Sequence, residues 1–285
     1  MREIRIELDV PATMRDGTVL RANVFRPVGE GPFPVLVTRH PYGKDLFESG
    51  YLDFKALVRA GYIVVSQDTR GRFTSDGEWA PWKHEREDGY DTVEWAASLP
   101  GSNGRVGMFG GSYLGSTQWS AAIAGAPHLV AIAPATTWAD PDNGLLFRGG
   151  AIELGLNASW GLMTALDQIP KAGLEPDEMI KGLMATVSDY DSLASQTYWQ
   201  LPAGAQPALE ATGQPDLGLT RALADPATLE ESRVSSRYAD INVPSLASPA
   251  GTTSFSKATS TTTSGCGPTA APRASSSAPG TTRTW

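Results

Sequence analysis

The sequence predicts an α/β fold in which a mostly parallel sheet carries helices on both faces. Three observations predict it. Apolar runs and segments of helical spacing alternate from about residue 34 to 135, an order that is typical of parallel sheets. An earlier segment alternates apolar and charged residues and contains an Asp16-Gly17 turn signal, which predicts an N-terminal antiparallel hairpin. From about 140 to 240 the strand pattern stops, which predicts a helical insertion.

The individual elements follow from hydrophobic period and from turn residues. Residues 4–10 and 19–25 form the predicted hairpin, and the apolar runs 34–38 and 62–66 fit buried strands. Residues 243–246 open a further strand that the sequence does not complete. The remaining predicted strands are 105–109 and 129–133, and the predicted helices are 51–59, 85–99, 113–124, 151–166, 176–187 and 189–201.

The composition excludes several classes of function. The chain has 285 residues, a formal net charge of −8 and a pI near 5.0, so it repels phosphate backbones and nucleic acid is excluded as a partner. Its one cysteine, Cys266, excludes an intrachain disulfide and a cysteine-rich zinc site. No apolar run approaches the ~18 residues of a membrane span. The first ten residues lack an apolar signal region, so we expect a cytoplasmic protein without membrane contact.

The composition changes sharply at about residue 245. All 31 acidic residues lie within residues 1–240, whereas 34 of the 41 residues from 245 to 285 are Ser, Thr, Ala, Gly or Pro. We therefore expect three regions. They are a core at 1–140, a helical cap insertion at 141–240, and a truncated core strand at 241–285 that continues into a low-complexity, disordered tail.

The segment with the most chemical information joins the strand that ends at Phe109 to the helix that begins at Tyr113. It reads Gly-Gly-Ser-Tyr-Leu-Gly, with the serine at position 112. A nucleophilic serine needs such a strained strand-to-helix turn, which holds its hydroxyl above the sheet at a helix N-terminus. The match to G-x-S-x-G is shifted, because Leu114 stands at the second glycine position and Gly115 follows it. A Gly-Ser pair before a helix also serves as an ordinary N-cap, and this turn alone leaves both interpretations open.

Three further segments accompany this turn in a fixed order. They are R-H-P-Y-G-K at 39–44, Q-D-T-R-G-R-F at 67–73 and D-G-Y-D-T-V-E-W at 88–95. Together with G-M-F-G-G-S-Y-L-G and T-Q-W, they resemble the CocE/NonD serine hydrolases, which are the cocaine-esterase-like and X-Pro dipeptidyl-peptidase-like enzymes. The resemblance extends from about residue 10 to residue 246. It implies the α/β-hydrolase fold with a helical cap and, in this chain, the loss of the C-terminal strands.

The resemblance also implies roles for single residues. Ser112 is implied to be the nucleophile that forms the acyl intermediate. The oxyanion hole is implied to consist of the Tyr42 hydroxyl and the backbone N–H of Tyr113, and a neutral phenol suits that task. The implied substrate is a small-molecule ester or a short peptide, with no metal and no organic cofactor. The oligomeric state stays open.

Other polar and aromatic residues carry structural interpretations. We interpret Asp68 and Arg70 as an ion pair at a strand end. We interpret four acids as part of a solvent-exposed helix N-terminus: Glu85, Glu87, Asp88 and Asp91. Three aromatics in or near the cap are candidate pocket contacts: Trp138, Phe147 and Trp160. Four acids in or near the cap are candidates for holding the α-ammonium of a peptide substrate: Asp140, Asp142, Glu153 and Asp167.

A serine nucleophile needs a general base, and the base needs an orienting acid. The family carries them after the cap, in a G-W-x-D-like and a G-P-W-x-H-like segment. This chain has three histidines, His40, His84 and His128, and no acid follows Asp240. We therefore expect that the triad Asp and His are missing and that the 285-residue chain is inactive.

Both missing motifs are recoverable when the tail is read in another frame. In the shifted frame, each codon consists of the last base of one original codon and the first two bases of the next. A shifted codon that overlaps an original Gly codon can then encode Trp, and one that overlaps an original Thr codon can encode Tyr, Asp, Asn or His. Residues 250–253 then permit Gly-Trp-Tyr-Asp, and residues 277–282 permit Val-Gly-Pro-Trp-x-His. We infer a frameshift at about residue 247. The alternative is a native Ser/Thr/Pro/Ala linker.

The sequence thus predicts hydrolysis of an ester, or of an amide, through an acyl-serine intermediate. An esterase for small acyl esters is the first interpretation, and an X-Pro dipeptidyl peptidase is the second. The alternative from another class is a non-catalytic fragment or binding module that keeps the fold without the base.

The frameshift is testable on the gene. Shifting the frame by one base near codon 247 is expected to give an open frame that encodes Gly-Trp-x-Asp and then Gly-Pro-Trp-x-His, because the degenerate codons of the tail permit both. Nucleotide sequencing from codon 240 onward checks this. A stop codon in the shifted frame between codons 247 and 282, or the absence of either Trp or of the His, would refute the frameshift.

Overall fold

The computed structural model describes residues 3–46, 53–199 and 223–246. Its centre is a six-stranded sheet with the order β1-β2-β4-β3-β5-β6. The strands are β1 (Ile4–Thr13), β2 (Val19–Pro27), β3 (Phe33–His40), β4 (Ile63–Asp68), β5 (Ser102–Gly111) and β6 (Leu129–Ala135). All six strands that the sequence predicts before residue 140 are present, and each is longer than its predicted range.

The sheet is antiparallel where the chain enters it and parallel elsewhere. Strands β1 and β2 form the predicted hairpin, and β2 pairs antiparallel with β4. Strand β3 pairs parallel with both β4 and β5, and β5 pairs parallel with β6. All six residues of β4 are buried, as a strand with neighbours on both edges and helices on both faces requires.

Helices cover both faces of the sheet, as predicted. They are α1 (Phe54–Arg59), α2 (Glu85–Ala97) and α3 (Tyr113–Ala124). Side chains alternate between the two faces of a strand, so adjacent residues of β4 pack against different helices. Val64 packs with Phe54 of α1, whereas Val65 belongs to the larger cluster that contains Val93 of α2 and Trp119 of α3.

The cap region differs from its predicted form at two points. A short hairpin, β7 (Phe147–Arg148) and β8 (Ala151–Ile152), occupies a stretch where no strand was expected. Gly149 and Gly150 have φ values of 58° and 86°, the two left-handed residues that a tight two-residue hairpin turn needs. Helix α4 (Leu154–Gln168) therefore begins three residues later than predicted.

The second difference concerns α5 (Pro176–Asp191), which the sequence divided into helices at 176–187 and 189–201. That division is wrong. No Gly or Pro lies between Val187 and Asp189 to stop the helix, so α5 continues to Asp191 and is capped by Ser192. A short 3-10 turn at Thr197–Trp199 follows. The end of the predicted second helix, like the tail from 247 to 285, lies outside the described residues. The boundaries at 140 and 240 remain predictions.

The chain returns to the sheet at its last described residues. Ile132 N–H donates to Pro244 O at 3.1 Å, and Leu246 N–H donates to Ile132 O at 2.9 Å. Ser245 thus forms a parallel bridge beside β6, which is where the sequence predicts the opening of a further strand. Within the described ranges, the helices do not combine the length and apolar character that crossing a membrane requires.

Candidate active site

Ser112 lies at the turn between β5 and α3 in a strained backbone conformation. Its φ and ψ are 59° and −125°, a region that residues with a side chain rarely occupy. Hydrogen bonds hold this peptide in place. Ser112 N–H donates to Ala135 O at 2.9 Å, and Ser112 O accepts from the Thr137 hydroxyl at 2.8 Å. Such a backbone favours the nucleophile interpretation, because an ordinary N-cap adopts an unstrained extended conformation.

Two glycines make this turn possible. Gly110 has φ 127°, and a Cβ there would lie 2.7 Å from Leu114 Cβ. A Cβ on Gly115 would lie 2.6 Å from Thr137 Cβ. The glycine that the sequence shifts by one position is therefore required by the close approach of α3 to the segment after β6. Gln118 adds a further brace, because its side-chain amide donates to Gly110 O at 3.0 Å and its carbonyl accepts from Ala133 N–H at 2.9 Å.

Tyr42 lies on the loop that leaves β3, and its hydroxyl hydrogen-bonds to the Ser112 side chain. Burial raises the pKa of Tyr42 to about 12, against a smaller lowering from the bond with Ser112. The phenol is therefore protonated at neutral pH and is able to donate. Two contacts fix the loop: Arg72 Nε donates to Pro41 O at 2.9 Å, and Lys44 N–H donates to Asp68 Oδ1 at 2.7 Å.

Tyr113 is the first residue of α3, so its backbone N–H belongs to the helix N-terminus beside Ser112. Its side chain is fully buried and donates its hydroxyl to Glu85 Oε1 at 2.7 Å. Burial, the largest cause, and the neighbouring Glu85 charge raise the pKa of Tyr113 well above its usual value. Ser112, Tyr42 and Tyr113 thus lie close together, and the roles that the resemblance implies for them remain predictions.

The three candidate pocket aromatics share one cluster with both tyrosines. Trp160 reaches Tyr42, with ring centroids 6.4 Å apart and an edge-on arrangement. Trp138 is buried against Tyr113, and Phe147 packs half-buried at the margin of the cluster. These aromatics therefore form a wall beside the two tyrosines, and Trp160 is the candidate that contacts both Tyr42 and Tyr113.

Tyr42 also lines a cavity of about 500 Å³. Its lining is mostly apolar and comes from the loops after β3 and β4 and from α4: Pro41, Tyr42, Leu46, Phe73, Met163 and Leu166. The cavity is also lined by Arg72, Asp167 and Lys171. Asp167 contacts both cations, and Lys171 Nζ lies 3.1 Å from Asp167 Oδ2. A small apolar acyl or alcohol group fits a cavity of this size and character.

The predicted ion pair between Asp68 and Arg70 is wrong. Asp68 instead contacts Lys44, with Nζ 3.5 Å from Oδ2, and burial raises the pKa of Asp68 to about 6. Arg70 follows the end of β4 and reaches α2, where its Nε lies 3.0 Å from Asp88 Oδ2, and it also contacts Asp16. Asp68 and Arg70 each pair with opposite charges from other parts of the chain.

The predicted solvated N-terminus of α2 is wrong for two of its four acids. Glu85 and Asp88 are buried, and they pair with Arg39 and Arg70 respectively. Glu87 is exposed as expected, and Asp91 forms a bidentate pair with Arg15. The sequence signal for the buried pairs was the presence of Arg39 and Arg70 at the ends of adjacent buried strands, where an arginine needs a partner.

The three histidines lie in different parts of the fold: His40 ends β3, His84 precedes α2, and His128 precedes β6. His40 stacks on Tyr42 at 6.2 Å, but its Nε2 is directed to Ser66 Oγ at 3.0 Å, and burial lowers its pKa to about 3. His128 pairs with Glu94 at 2.7 Å. The described residues contain no group of three or more His, Cys, Asp or Glu side chains arranged to hold a metal ion.

Comparisons with known proteins agree with this geometry. The profile of the X-Pro dipeptidyl-peptidase (S15) family matches residues 16–225. The chain is 38% identical over 216 residues to cocaine esterase from Rhodococcus sp. (strain MB1 Bresler), a match over 70% of this chain and 36% of that protein. It therefore spans about a third of the length of this relative.

Solved structures show the same fold. A CocE/NonD family hydrolase from Staphylococcus aureus superposes with a TM-score of 0.61 at 26% identity, covering 85% of this chain and 40% of that one. The α/β hydrolase GrgF from Penicillium sp. sh18 gives a TM-score of 0.55 at 18% identity, covering 92% and 86%. The α/β-hydrolase fold that the sequence predicts is confirmed.

The packing at Gly115 gives a stability prediction. Gly115→Ala is expected to lower the free energy of unfolding by about 1–3 kcal/mol, because the new methyl group overlaps the Thr137 side chain. Urea denaturation followed by tryptophan fluorescence measures this. Gly155→Ala is the matched control, since Gly155 is an exposed helical glycine near the start of α4 with room for a methyl group. Equal stability of Gly115→Ala and the unmodified chain would contradict the packing argument.

Proposed function

Because the chain belongs to the X-Pro dipeptidyl-peptidase (S15) family, we propose that it carries the nucleophile of a serine hydrolase that cleaves small esters. One observation carries the proposal: the strained Ser112 turn presents its side chain to the Tyr42 hydroxyl. A serine that is held in a costly conformation and contacts a buried phenol has the arrangement that acyl transfer needs.

The proposed reaction begins when Ser112 Oγ attacks the ester carbonyl. The carbonyl oxygen gains negative charge and lies between two donors, the Tyr42 hydroxyl and the Tyr113 N–H. Both donors are neutral, and both act from buried positions, where hydrogen bonds to a developing charge are strong. The general base of the frame-restored protein takes the Oγ proton and passes it to the oxygen of the departing alcohol, and water then hydrolyses the acyl-serine.

The charges in the cap favour an ester over a peptide with a free N-terminus. An X-Pro dipeptidyl peptidase must hold the substrate's α-ammonium with a carboxylate. The four acids considered for that task each contact a cation of this chain. Asp140 and Asp142 contact Arg233, Glu153 contacts Arg148, and Asp167 contacts Lys171. The peptidase remains the alternative function, and a non-catalytic binding module is the alternative from another class.

The general base is the missing part of the proposed machinery. His40 directs Nε2 to Ser66, and the acid and base of the family follow the cap in sequence. We propose that the shifted frame encodes them and that the 285-residue chain has no Ser112-dependent turnover. The bridge at Ser245 supports this, since the chain has begun to pair beside β6 at the point where its composition changes.

A single-atom change at Tyr42 tests the proposed oxyanion hole. In the frame-restored protein, Tyr42→Phe is expected to lower kcat by about 10²–10³-fold, because it removes one donor to the developing charge. KM is expected to change much less, since that donor acts mainly in the transition state. Steady-state hydrolysis of a p-nitrophenyl ester measures both constants.

The control for this experiment is Tyr190→Phe, the same change at a half-exposed tyrosine on α5. It is expected to leave both constants unchanged. A fall in kcat of less than about threefold for Tyr42→Phe would remove Tyr42 from the oxyanion hole.

A further inference from the structure

We infer that Glu85 is a positioning residue that fixes both oxyanion donors through one buried carboxylate. Glu85 is the first residue of α2, and its carboxylate oxygens bind Tyr113 and Arg39. Its two oxygens reach in different directions, one toward the helix after Ser112 and one toward the strand before Tyr42. The inference rests on the proposed function, because it concerns the geometry of the proposed oxyanion hole.

The first oxygen holds the residue after the nucleophile. Glu85 Oε1 accepts the Tyr113 hydroxyl at 2.7 Å, and the same hydroxyl accepts from Trp82 N–H at 3.2 Å. The ring of Tyr113 is enclosed by Trp79, Trp82 and Trp160, with centroids 5.8–6.3 Å away. The side chain that belongs to the donating N–H is therefore anchored at its far end by a charge-assisted hydrogen bond.

The second oxygen holds the strand that carries the other donor. Glu85 Oε2 lies 2.7 Å from Arg39 Nη1, and the arginine side chain is fully buried. Arg39 is the penultimate residue of β3, three positions before Tyr42. Its Nε donates to Gln67 Oε1 at 2.9 Å, so the guanidinium is clamped between β4 and α2.

Losing the carboxylate charge would disturb both attachments together. The guanidinium of Arg39 would remain buried without its near partner, and the next carboxylate, that of Asp88, is 3.9 Å from Nη2. Movement of Arg39 toward Asp88 would shift the end of β3 and with it the Tyr42 loop. An oxyanion hole is sensitive to such shifts, because its donors act only within hydrogen-bond distance of the developing charge.

Phenylboronic acid tests the inference without needing turnover. At alkaline pH hydroxide takes the Ser112 proton in place of a general base, so the 285-residue chain is suitable. The Ser112 Oγ lone pair forms a B–O bond with the empty orbital of boron, the hydroxyl proton passes to solvent, and the boron becomes tetrahedral and negatively charged. A boron-bound oxygen then occupies the oxyanion hole. Boron NMR reports the tetrahedral adduct and its affinity, and Ser112→Ala is the null variant. Toluene, which has the same aromatic ring and no hydrogen-bond acceptor, reports binding that does not use the oxyanion donors.

Two variants are compared with one control. Glu85→Gln removes the charge, and Tyr113→Phe removes only the hydroxyl that Glu85 accepts, so it is the milder change if Glu85→Gln fails to fold. Each is expected to weaken boronate binding by about tenfold or more and to leave toluene binding unchanged. The double variant is expected to be no weaker than the weaker single variant, because both break the same link. Glu87→Gln, the same change at an exposed acid on the first turn of α2, is expected to bind like the unmodified chain.

Each outcome has a distinct meaning. Ser112-dependent boronate binding that survives in both variants would overturn the positioning role and leave the proposed function intact. Equal weakening of boronate and toluene binding would also overturn it, because that is the effect of a merely structural residue. If the unmodified chain forms no tetrahedral adduct, or if Ser112→Ala forms one equally well, the proposed function fails and the inference fails with it.

Discussion

The strained peptide at Ser112 is the constraint on which the rest of the site depends. A non-glycine residue at φ 59° costs of order 1–3 kcal/mol and persists only where its surroundings over-determine it. Here β5 and β6 pair up to Gly111 and Ala135, Thr137 bonds the Ser112 carbonyl, and Gln118 braces the strand below. The glycines at 110 and 115 are the result of that crowding. Because the turn is held by these contacts, the serine hydroxyl and the following N–H have fixed directions, and the oxyanion hole that we propose needs only the Tyr42 hydroxyl in addition.

Buried charge links this turn to the loops around it. The chain is acidic overall, with a net charge of −8, yet several of its acids lie inside the fold and contact cations at strand ends. Glu85 contacts Arg39, Asp88 contacts Arg70, and Asp68 contacts Lys44. Breaking such a pair by removing one partner typically costs about 3–5 kcal/mol, whereas its net contribution to stability is small. These pairs therefore define geometry more than they add stability. They hold the ends of β3 and β4, and Tyr42 lies on the loop that leaves β3.

The sequence was informative where a single pattern dictates structure, and it failed where partners come from distant segments. Hydrophobic period predicted the strands up to residue 135, and the Gly-Gly-Ser motif predicted the turn at Ser112, since both signals are local. The pairings of Asp68, Arg70 and Glu85 depend on which strand ends become neighbours, and no local pattern contains that information. The hairpin at 147–152 is different: Gly149-Gly150 is a local signal for a tight turn, but strands of two residues are too short to show an alternating pattern.

The central proposal is that Ser112 accepts the acyl group and that its general base is encoded in the shifted frame. The most direct measurement is p-nitrophenyl acetate hydrolysis by the 285-residue chain and by the frame-restored protein, each compared with its own Ser112→Ala variant. The account predicts that the frame-restored protein exceeds its variant by about 10³-fold or more, and that the 285-residue chain does not exceed its variant. A Ser112-dependent rate about a hundredfold above background in the 285-residue chain would contradict the account, because a base would then already be present. A frame-restored protein that Ser112→Ala leaves unchanged would contradict the assignment of the nucleophile.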